Sequence, residues 1–242
     1  MKHLFLVFCA LASSSVFAQD ILLDDFNYTV PDIARRGLTK ETVFKGMERD
    51  FIKLGSSICS NRALIWAHDM KRAYNIDSAK MFLFYSDKTG EAGDKVWWYH
   101  VTPMVNENGT LWTVDAGFPS FVRTPLSKND WFKKFAGSTN CKELKKGDDE
   151  LIAKMFKKRR FPITTAAGTY DCYYTIVPAP YWTPSTVAQG LLERNRDGVP
   201  GNYERTSILS GELMQACKEA STSALGGIFG GAEKKCLEYL GL

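Results

Sequence analysis

A cysteine, a histidine and an aspartate can share one reaction when the imidazole reaches the thiol and the carboxylate orients the imidazole. In this 242-residue chain the choice of partners is narrow. Beyond the first eighteen residues the only histidines are His68 and His100, and the cysteines are Cys59, Cys141, Cys172, Cys217 and Cys236. Cys59 follows Ser57, a good helix N-cap, which places the thiol near the second position of a helix. There, unpaired backbone N–H groups and the positive end of the helix dipole favour thiolate over thiol. The same N–H groups suit a developing oxyanion. On its own, Cys59 reads equally well as a small buried apolar residue, so its partners decide. His68 stands nine residues further on; nine steps of 100° put it on the opposite helix face and about 13 Å along the axis. It is excluded as base to this thiol and is expected to be exposed or to pack the helix.

His100 lies in Trp97-Trp98-Tyr99-His100-Val101, in a strand expected to end near Val105. Asn106-Glu107-Asn108-Gly109 reads as a four-residue turn before a strand that starts at Thr110. Pairing Val105 with Thr110 sets His100 directly opposite Asp115, with Cβ atoms roughly 4.5 to 5.5 Å apart on one face. A slip of one residue would send the two side chains to opposite faces. Asp115 alone would read as a strand-end turn residue before Ala116-Gly117. By alternation Trp98 shares the face of His100 and is a candidate wall of the substrate cleft. Trp97 and Tyr99 point the other way, toward core packing. Ser57 is a second candidate substrate contact, although its cap role accounts for it fully.

The elements that must position these residues follow from periodicity. Val43, Met47 and Phe51 recur at helical spacing over Lys40 to Leu54, between Thr39 and the stop at Gly55. The helix of Cys59 continues through Ala63, Trp66 and Met70 to about Tyr74. Strands are expected at Lys80 to Tyr85, Lys95 to Val105 and Leu111 to Ala116, with the turn-rich Ser86 to Asp94 between the first two. Short helices are expected at Ser127 to Phe135 and Asp148 to Lys158. The second has acidic residues at its start and Lys157-Lys158-Arg159-Arg160 at its end, a charge order that suits the dipole. That basic run reads as a solvated helix end in preference to a docking patch. A hairpin over Phe161 to Thr165 and Thr169 to Val177 precedes helices at Thr183 to Asn195, Ser210 to Ala220 and Ala232 to Leu240. The glycines at 226, 227, 230 and 231 lack the Lys-Ser/Thr ending of a phosphate loop and read as a connector.

Lys2, the apolar Leu4 to Ala12 and the small residues up to Val16-Phe17-Ala18 form a signal peptide, residues 1–18, with cleavage after Ala18. Phe8 stands where a lipobox before Cys9 needs a small residue, so no membrane anchor is expected, and no later segment approaches the roughly 20 apolar residues of a membrane span. Residues 19–242 are then one exported catalytic domain, secreted or periplasmic, with no linker dividing them. The net charge of +4 falls to about +3 without Lys2, too mild to argue for nucleic acid. Five cysteines in an exported chain leave one unpaired. Bridges within the Cys141/Cys172 and Cys217/Cys236 regions are a reasonable pairing that makes Cys59 the free thiol, but four cysteines allow three connectivities and the sequence does not choose among them. Two histidines and unclustered cysteines argue against a metal site, and no cofactor is expected.

Cys59-Ser60-Asn61-Arg62-Ala63, then Trp98-Tyr99-His100-Val101, then an apolar strand ending in Asp115, resemble the bacterial protein glutaminases, which deamidate glutamine residues in proteins. That family carries a Cys-x-x-Arg-Ala helix start and a Ser-Tyr-His-Val strand. The match spans roughly Ser57 to Gly117, and the family's histidine after Arg-Ala is Leu64 here. The resemblance implies an α+β, papain/transglutaminase-like fold, with an antiparallel sheet packed against the helix carrying the nucleophile. It implies Cys59 as nucleophile, His100 as base and Asp115 as its orienter, acting on a protein or peptide with an accessible glutamine. Proteolysis and transglutamination with the same triad remain alternatives, as does a non-catalytic, disulfide-stapled periplasmic binding protein.

Overall fold

The computed structural model describes residues 20–23, 28–47, 59–85, 91–92, 95–96, 98–117, 122–145, 147–158, 163–165, 168–179, 181, 187, 213–218, 234 and 236–238. A small antiparallel hairpin, β1 (Ile21–Leu23) with β2 (Tyr28–Val30), opens the described chain. A short 3-10 helix over Ile33–Arg36 leads to α1 (Lys40–Gly46). Thr39 caps α1 as its side chain implies, with Oγ1 accepting from the Thr42 N–H at 3.1 Å. The helix is shorter than the Lys40 to Leu54 expected from periodicity: Met47 is already extended, with φ −67° and ψ 127°. Val43, Phe44 and Met47 are nevertheless buried together, because three positions suffice to dock so short an element.

The chain then enters α2 (Cys59–Tyr74), and Ser57 and the residues around it lie outside those described. Ala63, Leu64, Ile65, Trp66, Ala67 and Met70 are all buried, so α2 is covered on more than the single face its apolar spacing suggested. Next come β3 (Ala79–Tyr85), β4 (Glu91–Ala92), β5 (Lys95–Val96), β6 (Tyr99–Glu107) and β7 (Thr110–Thr113). The expected Lys95 to Val105 strand is therefore two pieces: β5 pairs back on β4, and β6 begins only at Tyr99. β8 (Leu126–Ser127) runs into α3 (Lys128–Ala136). β9 (Cys141–Glu143), α4 (Asp149–Lys158), β10 (Ile163–Thr165), β11 (Gly168–Tyr170) and β12 (Cys172–Pro178) follow. The expected strand over Thr169 to Val177 is broken at Asp171: β11 closes a hairpin on β10, whereas β12 joins the main sheet. The late helices fall mostly outside the described residues, which include helical turns at 213–218 and 236–238.

The architecture is α+β. Six strands form one sheet in the order β8-β7-β6-β3-β12-β9, antiparallel throughout except for the parallel β12–β9 pair. β3 is buried along its whole length because the sheet is covered on both sides. On one side α2 packs chiefly on β6, and Ala63 joins Phe82, Phe84 and Val101. On the other side Trp131, Phe132 and Ala136 of α3 meet Met81, Leu83 and Met104. Lys80 is buried near the start of β3, where its ammonium donates to the Tyr181 carbonyl at 2.9 Å.

Disulfides join Cys141 to Cys172 and Cys217 to Cys236, and among the described residues Cys59 is the free cysteine. The first bridge links residues in direct parallel register on β9 and β12. Two bridges fit a chain folded in an oxidising compartment. No described helix is long and apolar enough to cross a membrane.

Candidate active site

The β6–β7 hairpin sets the geometry. Its turn is the two-residue Asn108-Gly109, with φ values of 53° and 78°, and not the four-residue loop expected from Asn106 to Gly109. Two consecutive left-handed residues make the Asn-Gly turn whose twist matches flanking strands. Glu107 therefore pairs with Thr110, Val105 with Trp112 and Met104 with Thr113. The register is two residues away from a Val105–Thr110 pairing. In the observed register Val114 continues the ladder by donating to the Pro103 carbonyl at 3.0 Å, so Asp115 falls across from Thr102.

His100 and Asp115 still meet, Nε2 to Oδ2 at 2.7 Å, and both are buried. A shift of two keeps side chains on the same face, and the diagonal neighbour two residues away remains within reach of long or aromatic side chains. The strand also ends there. The Ala116 N–H turns back to the Val114 carbonyl at 3.0 Å, a three-residue turn centred on Asp115 that releases its carboxylate from the ladder.

Because β7 stops at Thr113 while β6 extends back to Tyr99, the first half of β6 has no strand on that edge among the described residues. The start of α2 fills the gap. The Cys59 sulfur accepts from the Val101 N–H and interacts with the His100 ring. Nε2 is held by Asp115, and the other ring nitrogen, Nδ1, is buried as well. The imidazole itself lies on the α3 side of the sheet, stacked on Trp131 with ring centres 5.3 Å apart and planes at 15°, and against Phe135 at 4.4 Å. Trp131 Nε1 donates to Asp115 Oδ2 at 3.0 Å, the oxygen that also meets His100.

The electrostatics run in one direction. Burial raises the Cys59 pKa, but the hydrogen bond and charge of His100, the Arg62 guanidinium and the Val101 N–H outweigh it and leave the thiol more acidic than usual. Burial pulls His100 down, yet Asp115 and the Cys59 thiolate more than reverse this, and its pKa is raised to about 9. For Asp115, burial opposes ionisation, whereas His100, Arg62 and Trp131 hold the carboxyl below its ordinary value. The arrangement favours thiolate, imidazolium and carboxylate together. Arg62, buried one turn beyond Cys59, supplies the second cation beside two anions. It lies so close to Gly117 that a Cβ there would sit 2.8 Å from its Nε.

Trp98 does not share the imidazole's face. It occupies a bend before β6, which breaks the alternation, and its ring packs on Phe84 at 6.0 Å and Tyr99 at 4.8 Å. That places it in the same apolar cluster as Cys59, half-buried. Tyr99 lies there too, its hydroxyl donating to Ser60 Oγ at 3.2 Å. His68 stands apart, lining a cavity of about 450 Å³ with Tyr28, Lys71 and Ser78. Burial and the nearby Arg72 keep it below its ordinary pKa. Arg62, Trp131 and Phe135 were not singled out by spacing; the visible signal for the last two was an aromatic i, i+4 pair on α3.

No protein-family model matches the chain, and no curated protein matches it by sequence. Among solved structures it is similar to the NMR structure of protein-glutaminase from Chryseobacterium proteolyticum. The identity is 14%, the match covers 75% of this chain and 96% of that one, and the TM-score is 0.37. A likeness at that level carries no argument about chemistry, which rests on the side chains themselves.

Proposed function

We propose that this chain is a cysteine-dependent amidohydrolase of papain/transglutaminase-like fold, with Cys59, His100 and Asp115 as its triad and protein-bound glutamine as its substrate. The observation that carries the triad is the buried relay in which Asp115 holds Nε2 of His100 at 2.7 Å while the thiol meets the same ring. The glutamine substrate rests on the motif resemblance over Ser57 to Gly117.

In the proposed reaction the Cys59 thiolate attacks the side-chain carbonyl carbon of glutamine. N–H groups at the start of α2 stabilise the resulting oxyanion. His100 gives its proton to the departing nitrogen, the C–N bond breaks, and ammonia leaves a thioester on Cys59. The neutral imidazole then takes a proton from water, the hydroxide attacks the thioester carbon, and glutamate departs as the thiolate is restored. Trp98 supplies an apolar wall beside the nucleophile.

Incubation of the mature protein with casein tests this reading. Ammonia release without new termini, abolished in Cys59→Ala, is the expected result. New N-termini would make it a protease, and crosslinked casein a transglutaminase. Equal behaviour of wild type and Cys59→Ala in all three assays would leave a non-catalytic protein.

A further inference from the structure

We propose that Trp131 is a positioning residue for this site, fixing both the Asp115 carboxylate and the plane of the His100 ring from the helix opposite the nucleophile. The inference rests on the triad proposed above and adds a fourth member carried by α3.

Trp131 is fully buried, and a buried indole N–H needs an acceptor. The acceptor it takes is the functional carboxylate. Its Nε1 lies 3.0 Å from Asp115 Oδ2, and His100 Nε2 lies 2.7 Å from the same atom. Two donors converging on one oxygen hold the carboxylate against rotation about Cβ–Cγ, since turning it would break both bonds at once. The indole also stacks on the imidazole at 5.3 Å and 15°, and Phe135 closes on that ring at 4.4 Å. The ring is thus limited in tilt as well as in hydrogen bonding.

The element bearing these aromatics is itself held at both ends. Ser127 caps α3, its Oγ accepting from the Asp130 N–H at 3.2 Å, and Gly137 ends it at φ 68°. Residues four apart share a helix face, so Trp131 and Phe135 reach His100 together. The thiol arrives from α2 at the open edge of β6, so its meeting with the imidazole depends on where α3 holds the ring.

The test compares wild type with Trp131→Phe, which keeps a ring in the stack and loses the N–H, and with Trp131→Leu, which loses both. Two readouts are taken: steady-state deamidation, and the pH dependence of Cys59 alkylation by iodoacetamide. For Trp131→Phe the expected result is about a tenfold fall in kcat with KM little changed, the size associated with losing a hydrogen bond to a charged group. The acid limb of alkylation should move up toward that of an ordinary thiol, and Trp131→Leu should show both changes more strongly. Lower melting temperatures with kcat and the alkylation limb unchanged would mean Trp131 only fills the core, and would overturn the proposal. If neither variant folds, the unaltered protein decides: its slowly exchanging Trp131 indole N–H resonance should shift when Cys59 is carboxamidomethylated. A resonance that stays in place would overturn the proposal. An ordinary thiol pKa in the wild type would instead remove the triad itself, a result distinct from an acidic thiol that ignores Trp131.

Discussion

Asp115 Oδ2 lies 2.7 Å from His100 Nε2 although the hairpin sets Asp115 across from Thr102. The contact is diagonal, and it exists because the chain leaves the sheet at this point. Val114 makes the last ladder bond, Ala116 turns back on Val114, and the carboxylate between them swings toward the ring. The same departure of β7 opens the edge of β6 at which the Cys59 thiol meets the Val101 N–H. One early strand end therefore admits the Cys59 thiol and presents the Asp115 carboxylate.

Replacing Asp115 separates its shape from its charge. In Asp115→Asn the amide oxygen still accepts from both Trp131 and His100, but the negative charge that raises the imidazole is gone. The expected loss in kcat is about tenfold, with the alkaline limb of the pH profile moved down by about one unit. Asp115→Ala leaves His100 and Trp131 without their acceptor and should cost about a thousandfold. Steady-state ammonia release across pH checks both; equal losses in the two variants would show that orientation counts for nothing beyond charge.

The wild-type profile follows from the same directions. The proposed acylation needs thiolate on Cys59 and a proton on His100. Below the lowered pKa of the thiol the nucleophile is protonated, and above about 9 the imidazole has lost the proton it must donate. A bell-shaped kcat/KM is expected, with its acid limb below that of an ordinary thiol and its alkaline limb near 9. A profile that rises only through the usual thiol range near 8.5 would contradict the ion pair.

The legibility of the site in the sequence depends on parity and scarcity. The hairpin register expected from Asn106 to Gly109 was off by two residues, yet His100 and Asp115 stayed on one face because facing depends only on odd or even spacing. Two available histidines, one of them on the wrong face of α2, left His100 without a rival. Trp98 leaves the face that alternation assigns it because alternation holds only inside a strand, and Trp98 precedes β6 in a bend. Trp131 was invisible in its role: its distance from Asp115 is set by how α3 docks on the sheet, which no local periodicity reports. Arg62 stood in the quoted motif, but only the fold shows it between two anions.

The bridge between β9 and β12 should carry stability without touching the chemistry. Cys141 and Cys172 lie in direct register with Cα atoms 4.4 Å apart, and they close a loop of 31 residues. The double substitution Cys141→Ser, Cys172→Ser is expected to lower unfolding free energy by about 2–4 kcal/mol. Urea unfolding measures that cost. The alkylation rate of Cys59 in the folded variant should match wild type, since the bridge is on the far edge of the sheet from β7.

Arg62 makes the buried site electrically balanced, with two cations against the Cys59 and Asp115 anions. Its guanidinium helps to keep both of them ionised. Arg62→Met removes that charge while keeping much of the side-chain volume, so both anions become harder to form. The acid limb of Cys59 alkylation should move up, and stability at neutral pH should fall by about 3–5 kcal/mol, the usual cost of leaving a buried charge without its partner. Gly117→Ala perturbs the same group by crowding alone, because the new Cβ would stand 2.8 Å from Arg62 Nε and 3.2 Å from Trp66 Cη2. Overpacking of this kind costs about 1–3 kcal/mol. Displacing the guanidinium should shift the alkylation limb in the same direction as Arg62→Met, by less. A shifted limb in Arg62→Met with none in Gly117→Ala would mean that Arg62 tolerates displacement. No shift in either would remove it from the electrostatics of the thiol.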